Sequence, residues 1–180
     1  YEEQLRQKEA EMKFLKSQVA PHFLINCLNN MYHLAGAGET QLIQKMAVSL
    51  GSHLRYTLAE QATVPLQQEL DMAVNYIEIS KLRFPGCIES FLTVDERVRD
   101  AECLPMILLN FVENTVKFSV VMGEVVEIHI EAALLDQDAG PRILVRVWDT
   151  GNGWPQEMLD RLNRGEFLSQ EKGYHIGMRN

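Results

Sequence analysis

The apolar positions follow a helical rhythm along the first third of the chain and a mixed one beyond it. Over residues 1–34, Leu5, Met12, Leu15 and Val19 recur at heptad-related spacings among Glu, Gln, Lys and Arg, which predicts a helix opening on a short coiled-coil seam. Pro21 lies inside that pattern. It lacks an amide donor and its ring crowds the preceding turn, so a kink is expected just ahead of His22. Ala35-Gly36-Ala37-Gly38 ends the helix, and Ile43, Met46, Leu50, Leu54 and Thr57 mark one face of a second helix over residues 39–59. Two helices joined by so short a turn cannot cover their apolar faces alone. Pairing with a second copy is the expected remedy, giving a homodimeric four-helix bundle.

Val64-Pro65 marks a boundary, because proline forces the residue before it out of helical conformation. Residues 1–62 are therefore expected to form the helical hairpin and residues 63–180 a second domain. In that domain Leu66, Leu70, Ala73 and Ile77 predict a third helix reaching residue 82. Phe84-Pro85-Gly86 then turns the chain into a strand over residues 88–94. A fourth helix is expected over residues 105–118, with Pro105 in its favoured first position. Residues 125–134 and 143–148 alternate with period two, joined by a turn from Asp136 to Pro141. Helices interleaved with an antiparallel pair predict an α+β fold in which helices cover one face of a mixed sheet.

Composition narrows what such a fold can do. The chain has 180 residues, of which 46% are apolar, enough for packed cores, and carries a formal net charge of −8. A nucleic-acid duplex would meet net repulsion, no basic cluster offsets it, and no nucleic-acid partner is expected. Cys27, Cys87 and Cys103 are odd in number, widely spaced and free of any C-x-x-C pair, which argues against a disulfide framework or zinc site and suits a reducing compartment. No apolar run is long enough to cross a bilayer, and the amino terminus lacks a signal pattern.

Four constellations carry candidate chemistry. Asn110, Glu113, Asn114 and Lys117 fall at i, i+3, i+4 and i+7 of the fourth helix, which puts two amides, a carboxyl and an ammonium on one stripe. An amide or carboxyl oxygen can ligate a hard cation and a lysine can meet phosphate oxygens, although a solvated helix face has the same pattern. Asp149-Thr150-Gly151-Asn152-Gly153 directly follows a strand; its glycines let backbone approach a ligand, and Asp149 can accept from an adenine amino group. A plain turn reads the same way. Gly173 and Gly177 bracket Tyr174-His175-Ile176 in a segment suited to a phosphate-wrapping lid. Finally, His22, in Pro21-His22-Phe23-Leu24-Ile25-Asn26, would be largely neutral at cytosolic pH, so a ring nitrogen is available as a nucleophile. Asn26 lies one turn on, on the same helical face, where its amide can orient a water.

Taken in order, P-H-F-L-x-N, V-E-N-x-x-K and D-x-G-x-G resemble sensor histidine kinases of the LytS/YesM type over nearly the whole chain. Leu54-Arg55-Tyr56, Pro65-Leu66, Glu69-Leu70, Asn75-Tyr76-Ile77 and Leu82-Arg83-Phe84 extend the match. The resemblance implies a dimerisation and histidine-phosphotransfer hairpin followed by an ATPase domain of the GHKL superfamily, an α/β sandwich using ATP and Mg²⁺. His22 would be the phosphoacceptor, Asn114 a magnesium ligand, Glu113 and Lys117 polar participants beside Asn110, and Asp149 the adenine contact. Gly151, Gly153, Gly173 and Gly177 would shape the nucleotide loops. The implied partners are a second copy and the receiver domain of a response regulator. The implied setting is the cytoplasmic portion of a bacterial inner-membrane protein whose membrane segments lie outside this stretch.

The sequence departs from the family pattern at several points. Phe23 stands where many histidine kinases carry an acidic residue, Thr115 and Phe118 replace a common alanine and histidine, Thr150 replaces an asparagine, and His175 a glycine. The family continues into a further helix and strands past the position of Asn180, so the ATPase domain is expected to be incomplete. Two other readings remain open: a GHKL ATPase whose Glu113 activates water to drive conformational change, and a non-catalytic dimerisation scaffold.

Overall fold

The computed structural model describes residues 21–59, 61–137 and 140–153, with isolated positions at 156, 160 and 164. The coiled-coil seam before Pro21, the turn preceding the expected kink, and the lid around Gly173 and Gly177 lie outside the described residues.

Helices α1 (Pro21–Gly36) and α2 (Thr40–Thr57) form the expected hairpin. Gly38 closes its turn with φ of 76°, a backbone conformation glycine adopts without steric cost, and the Glu39 amide donates back to the Leu34 carbonyl at 2.9 Å. Met46, Leu50, His53, Tyr56 and Thr57 form the buried face of α2, and Phe23 and Cys27 of α1 join the same core. On the opposite side of α1, Ile25, Leu28 and Tyr32 are exposed at i, i+3 and i+7.

The chain then crosses β1 (Val64–Pro65), antiparallel to β3 (Glu102–Cys103), and enters α3 (Leu66–Arg83). The four apolar positions that predict this helix, Leu66, Leu70, Ala73 and Ile77, are all buried. Lys81 and Arg83 occupy its last turn, where cations complement the carbonyl end of the helix dipole. Strand β2 (Ile88–Val94) covers the predicted span, and α4 (Ile107–Phe118) carries the chain to β4 (Val126–Gln137) and β5 (Gly140–Asp149). The sheet order is β2-β4-β5, with β2 parallel and β5 antiparallel to β4, which makes the sheet mixed as expected. Ile88, Val126, Ile128, Ile130 and Ala132 are buried in the core shared with α3 and α4. On the other face the rings of Phe91, His129 and Trp148 stack across all three strands, with centroids 4.8 Å apart at each step.

Two expectations are corrected. Helix α4 starts at Ile107, not Pro105: Met106 precedes it in a left-handed conformation, φ 64°, and a carboxyl group from α3 takes the capping role assigned to proline. The turn expected from Asp136 to Pro141 is shorter, because Asp136 and Gln137 pair with Pro141 and Gly140. Pro141 is tolerated there because β5 borders the sheet among the described residues, so its missing amide breaks no inner ladder.

Candidate functional site

Helix α4 organises the site. Leu108, Leu109, Val112, Thr115 and Val116 are buried, which leaves Asn110, Glu113, Asn114 and Lys117 on the other face as their spacing requires. Asn110, Glu113 and Asn114 are half-buried and Lys117 is exposed, with its ammonium 4.8 Å from the Phe118 ring centroid. The amino end of the helix is fixed by Glu69. One carboxyl oxygen accepts from the Met106 amide at 2.6 Å and from the Tyr56 hydroxyl, and the other from the Leu108 amide at 2.8 Å and, more loosely, Leu109 at 3.4 Å. Amides that a helix start leaves without partners are thus satisfied by a side chain 37 or more positions earlier.

At the carboxyl end of α4 the glycine loop comes in. The Thr115 hydroxyl donates to one Asp149 oxygen at 3.0 Å, and the Gly151 amide donates to the other at 2.9 Å. The loop is also tied to β4, since the Thr150 amide donates to the Glu127 carbonyl at 3.1 Å while the Glu127 amide donates to the Thr150 hydroxyl at 2.9 Å. Thr115 and Thr150, two of the departures from the family pattern, therefore both anchor this loop. Gly151 lies so close to Ser119 that a Cβ there would fall 2.4 Å from the serine Cβ, and Gly153 has φ of 67°. The predicted loop thus meets α4 around Asp149, through Thr115 of the helix's buried face and Ser119 at its end. Gly173 and Gly177 lie outside the described residues.

On the hairpin, the backbone of His22 is in the first described turn of α1, and its side chain is outside the described residues. Asn26 is half-buried on the same helix. Phe23 is an anchor, its ring 4.7 Å from those of Tyr76 and His53, so the position after His22 serves packing. His53 is 3% exposed, and burial lowers its pKa to about 4, so it stays neutral and shielded. Its Nε2 lies 3.6 Å from Glu113 Oε1, too far for a hydrogen bond, while burial pushes the Glu113 carboxyl up to about 7. Because burial favours the neutral form of each group, the contact is not an ion pair at neutral pH. His129 is stacked between Phe91 and Trp148 and hydrogen-bonded to Glu127 at 3.0 Å.

A cleft of about 860 Å³ opens between the amino half of α4 and β5, walled by Ile107, Phe111, Val145, Val147 and Trp148. None of the predicted site residues lines it, and its one cation, Arg146, is already paired with Glu131 at 2.5 Å. A triphosphate needs donors and cations, so the polar stripe and the Asp149 loop are the better candidate site.

Comparison with known proteins decides the family. A family profile described as "Histidine kinase" matches residues 10–88, and one described as "Histidine kinase-, DNA gyrase B-, and HSP90-like ATPase" matches residues 99–180. The chain belongs to the histidine kinases. This histidine kinase chain is 31% identical over 166 residues to the sensor protein LytS of Bacillus subtilis, covering 91% of the chain and 27% of that protein. It is 31% identical over 175 residues to LytS of Enterococcus faecalis, covering 96% and 29%. The sensor histidine kinase YesM of Bacillus subtilis is 34% identical over 119 residues, covering 66% and 21%. The chain spans less than a third of the length of these curated relatives. Among solved structures, the histidine kinase domain from the Erythrobacter litoralis EL346 blue-light activated histidine kinase has a TM-score of 0.41 and 17% identity over 73% of this chain and 71% of that one.

Sequence reasoning left His53 and the pairing of Tyr56 with Glu69 unassigned. A signal for Glu69 was present: it falls three residues after Leu66 and four before Ala73, on the apolar face of α3, where a carboxyl group needs partners. Nothing local identified those partners.

Proposed function

We propose that this chain is the phosphoacceptor and ATPase portion of a two-component sensor kinase, which moves the γ-phosphoryl group of ATP to His22 and then to an aspartate on a response-regulator receiver domain. The observation that carries the reading is Asp149, held between Thr115 of α4 and the Gly151 amide, which ties the glycine loop to the helix that bears the polar stripe. Asp149 can accept from an adenine amino group with its remaining lone pairs, and the tight approach of Gly151 to Ser119 seats the loop against α4. Asn110, Asn114 and Lys117 present amides and a cation on one accessible helix face. Among the described residues no three His, Cys, Asp or Glu side chains gather, so a magnesium ion would be held by Asn114 and phosphate oxygens, where it would neutralise phosphate charge.

In the proposed reaction a neutral ring nitrogen of His22 attacks the γ-phosphorus, the bond to the bridging oxygen breaks, ADP departs, and the ring proton is lost as a phosphoramidate forms. The protein supplies mainly position and charge stabilisation. Glu113, raised to about 7, has proton affinity suited to general acid–base work at neutral pH. Asn26, one turn beyond His22, would orient the water that hydrolyses the regulator's phosphoaspartate. The exposed stripe of Ile25, Leu28 and Tyr32 supports a homodimeric bundle, because a second copy would cover it. No described helix is long and apolar enough to cross a membrane, and the reading places membrane segments elsewhere in the protein, with this portion at the cytoplasmic face.

The test is transfer of label from γ-labelled ATP to the full chain. Acid-labile label is expected on wild type and none on His22→Gln. Label that persists in His22→Gln, or steady phosphate release indifferent to it, would instead support an ATPase with Glu113 activating water.

A further inference from the structure

Glu69 is fully buried on the apolar side of α3, yet its carboxyl group gathers donors from two other helices. Three are the backbone amides of Met106, Leu108 and Leu109, a helix cap contributed from a distance. The fourth, the Tyr56 hydroxyl, belongs to the hairpin. A carboxyl group that only capped α4 would have no need of it.

The residue held at this junction is Met106, the one non-glycine with positive φ among the described residues. Side chains disfavour that conformation, so it persists only where surroundings impose it. Its amide lies 2.6 Å from Glu69 and 3.3 Å from the Tyr56 oxygen. Its carbonyl in turn accepts from the Asn110 amide at 3.0 Å, so the bond that places the first stripe residue starts from the strained residue. One turn before Tyr56, His53 approaches Glu113 on the same helix α4, which gives the hairpin a second point of contact.

We propose that Glu69 is a positioning residue that couples the hairpin to the nucleotide-facing helix. By holding Tyr56 and the strained start of α4 through one carboxyl group, it makes the placement of Asn110 and Asn114 depend on the position of the hairpin. The proposal rests on the reading of the α4 stripe as a nucleotide site.

The test is a double-mutant cycle in the full chain, using Tyr56→Phe and Glu69→Gln and measuring the dissociation constant of trinitrophenyl-ATP with Mg²⁺. Loss of one hydrogen bond at the junction is expected to weaken binding by about fivefold in Tyr56→Phe. In the Glu69→Gln background the same change is expected to add nothing. Amide exchange at Met106, Leu108 and Asn110 is expected to quicken in Tyr56→Phe. If Tyr56→Phe lowers the melting temperature but leaves affinity unchanged, the junction is structural only and the proposal is overturned. If wild type binds no nucleotide, the reading of the stripe fails and exchange alone decides: faster exchange at Asn110 upholds the coupling, and unchanged exchange overturns it.

Discussion

The two ends of helix α4 are held in opposite ways. At its amino end four donors converge on one buried carboxyl group, and a strained backbone residue is locked in place. At its carboxyl end a single Thr115 hydroxyl meets Asp149, Lys117 is exposed, and the adjoining loop is rich in glycine. Among the described residues the helix is therefore tied down more heavily at its amino end than at its carboxyl end.

The sharpest way to break this contrast is Glu69→Ala. It strands the Tyr56 hydroxyl and the amides of α4, and the expected cost is about 3–5 kcal/mol, read from the denaturant midpoint. A loss no larger than that of an exposed substitution would show that the amino end is not the fixed one.

Glu113 comes next, and its effect depends on pH. Burial raises its carboxyl from 4.5 to about 7, so its contribution to stability is fully present below about 4.5 and lost as pH rises through about 7. His53 runs the other way: lowered from 6.5 to about 4, it contributes stability present above about 6.5 and lost as pH falls through about 4. The buried Tyr76 hydroxyl, itself raised by burial, sits beside both. Glu113→Gln is therefore expected to stabilise the protein at pH 8 by on the order of 1–3 kcal/mol and, by removing the slope that offsets that of His53, to make stability rise more steeply with pH between about 4.5 and 6.5. Thermal melts across that range check it, and an unchanged slope would contradict the burial argument.

Gly151→Ala probes the open end. Its new methyl would collide with Ser119, at an expected cost of about 1–3 kcal/mol. Ser119→Gly removes the two Ser119 atoms in the way, leaving only Asp149 Oδ1 at 2.9 Å, and should recover part of the loss, whereas absence of any rescue would show that the loop does not rest on α4. Thr115→Val is the mildest change. It should cost about 1 kcal/mol, and nucleotide titration should show weaker binding as Asp149 loses its anchor. Equal affinity would mean that Asp149 is positioned by Gly151 alone.

Most of the fold was legible because local pattern and burial agree. The apolar positions Leu66, Leu70, Ala73 and Ile77 all went inside, and β2 occupies the predicted residues. The start of α4 was not legible. Pro105 satisfies a local rule, but the cap is a carboxyl group many residues upstream, and no window of neighbouring residues contains it. The stripe and the loop were found by spacing and motif, whereas the Thr115–Asp149 bond that ties the loop to the same helix depends on how β5 ends against α4. His53 was hidden for a similar reason: its proton affinity is lowered by burial, and the rings of Phe23 and Tyr76 packed on it come from other helices.

The stacked rings on the outer face of the sheet have an optical consequence. Trp148, against His129 on one side and bonded in sequence to Asp149 on the other, is one of only two tryptophans. With Trp154 exchanged for phenylalanine, the emission of this indole would report on the outer face of the sheet at the end of β5, without any attached dye.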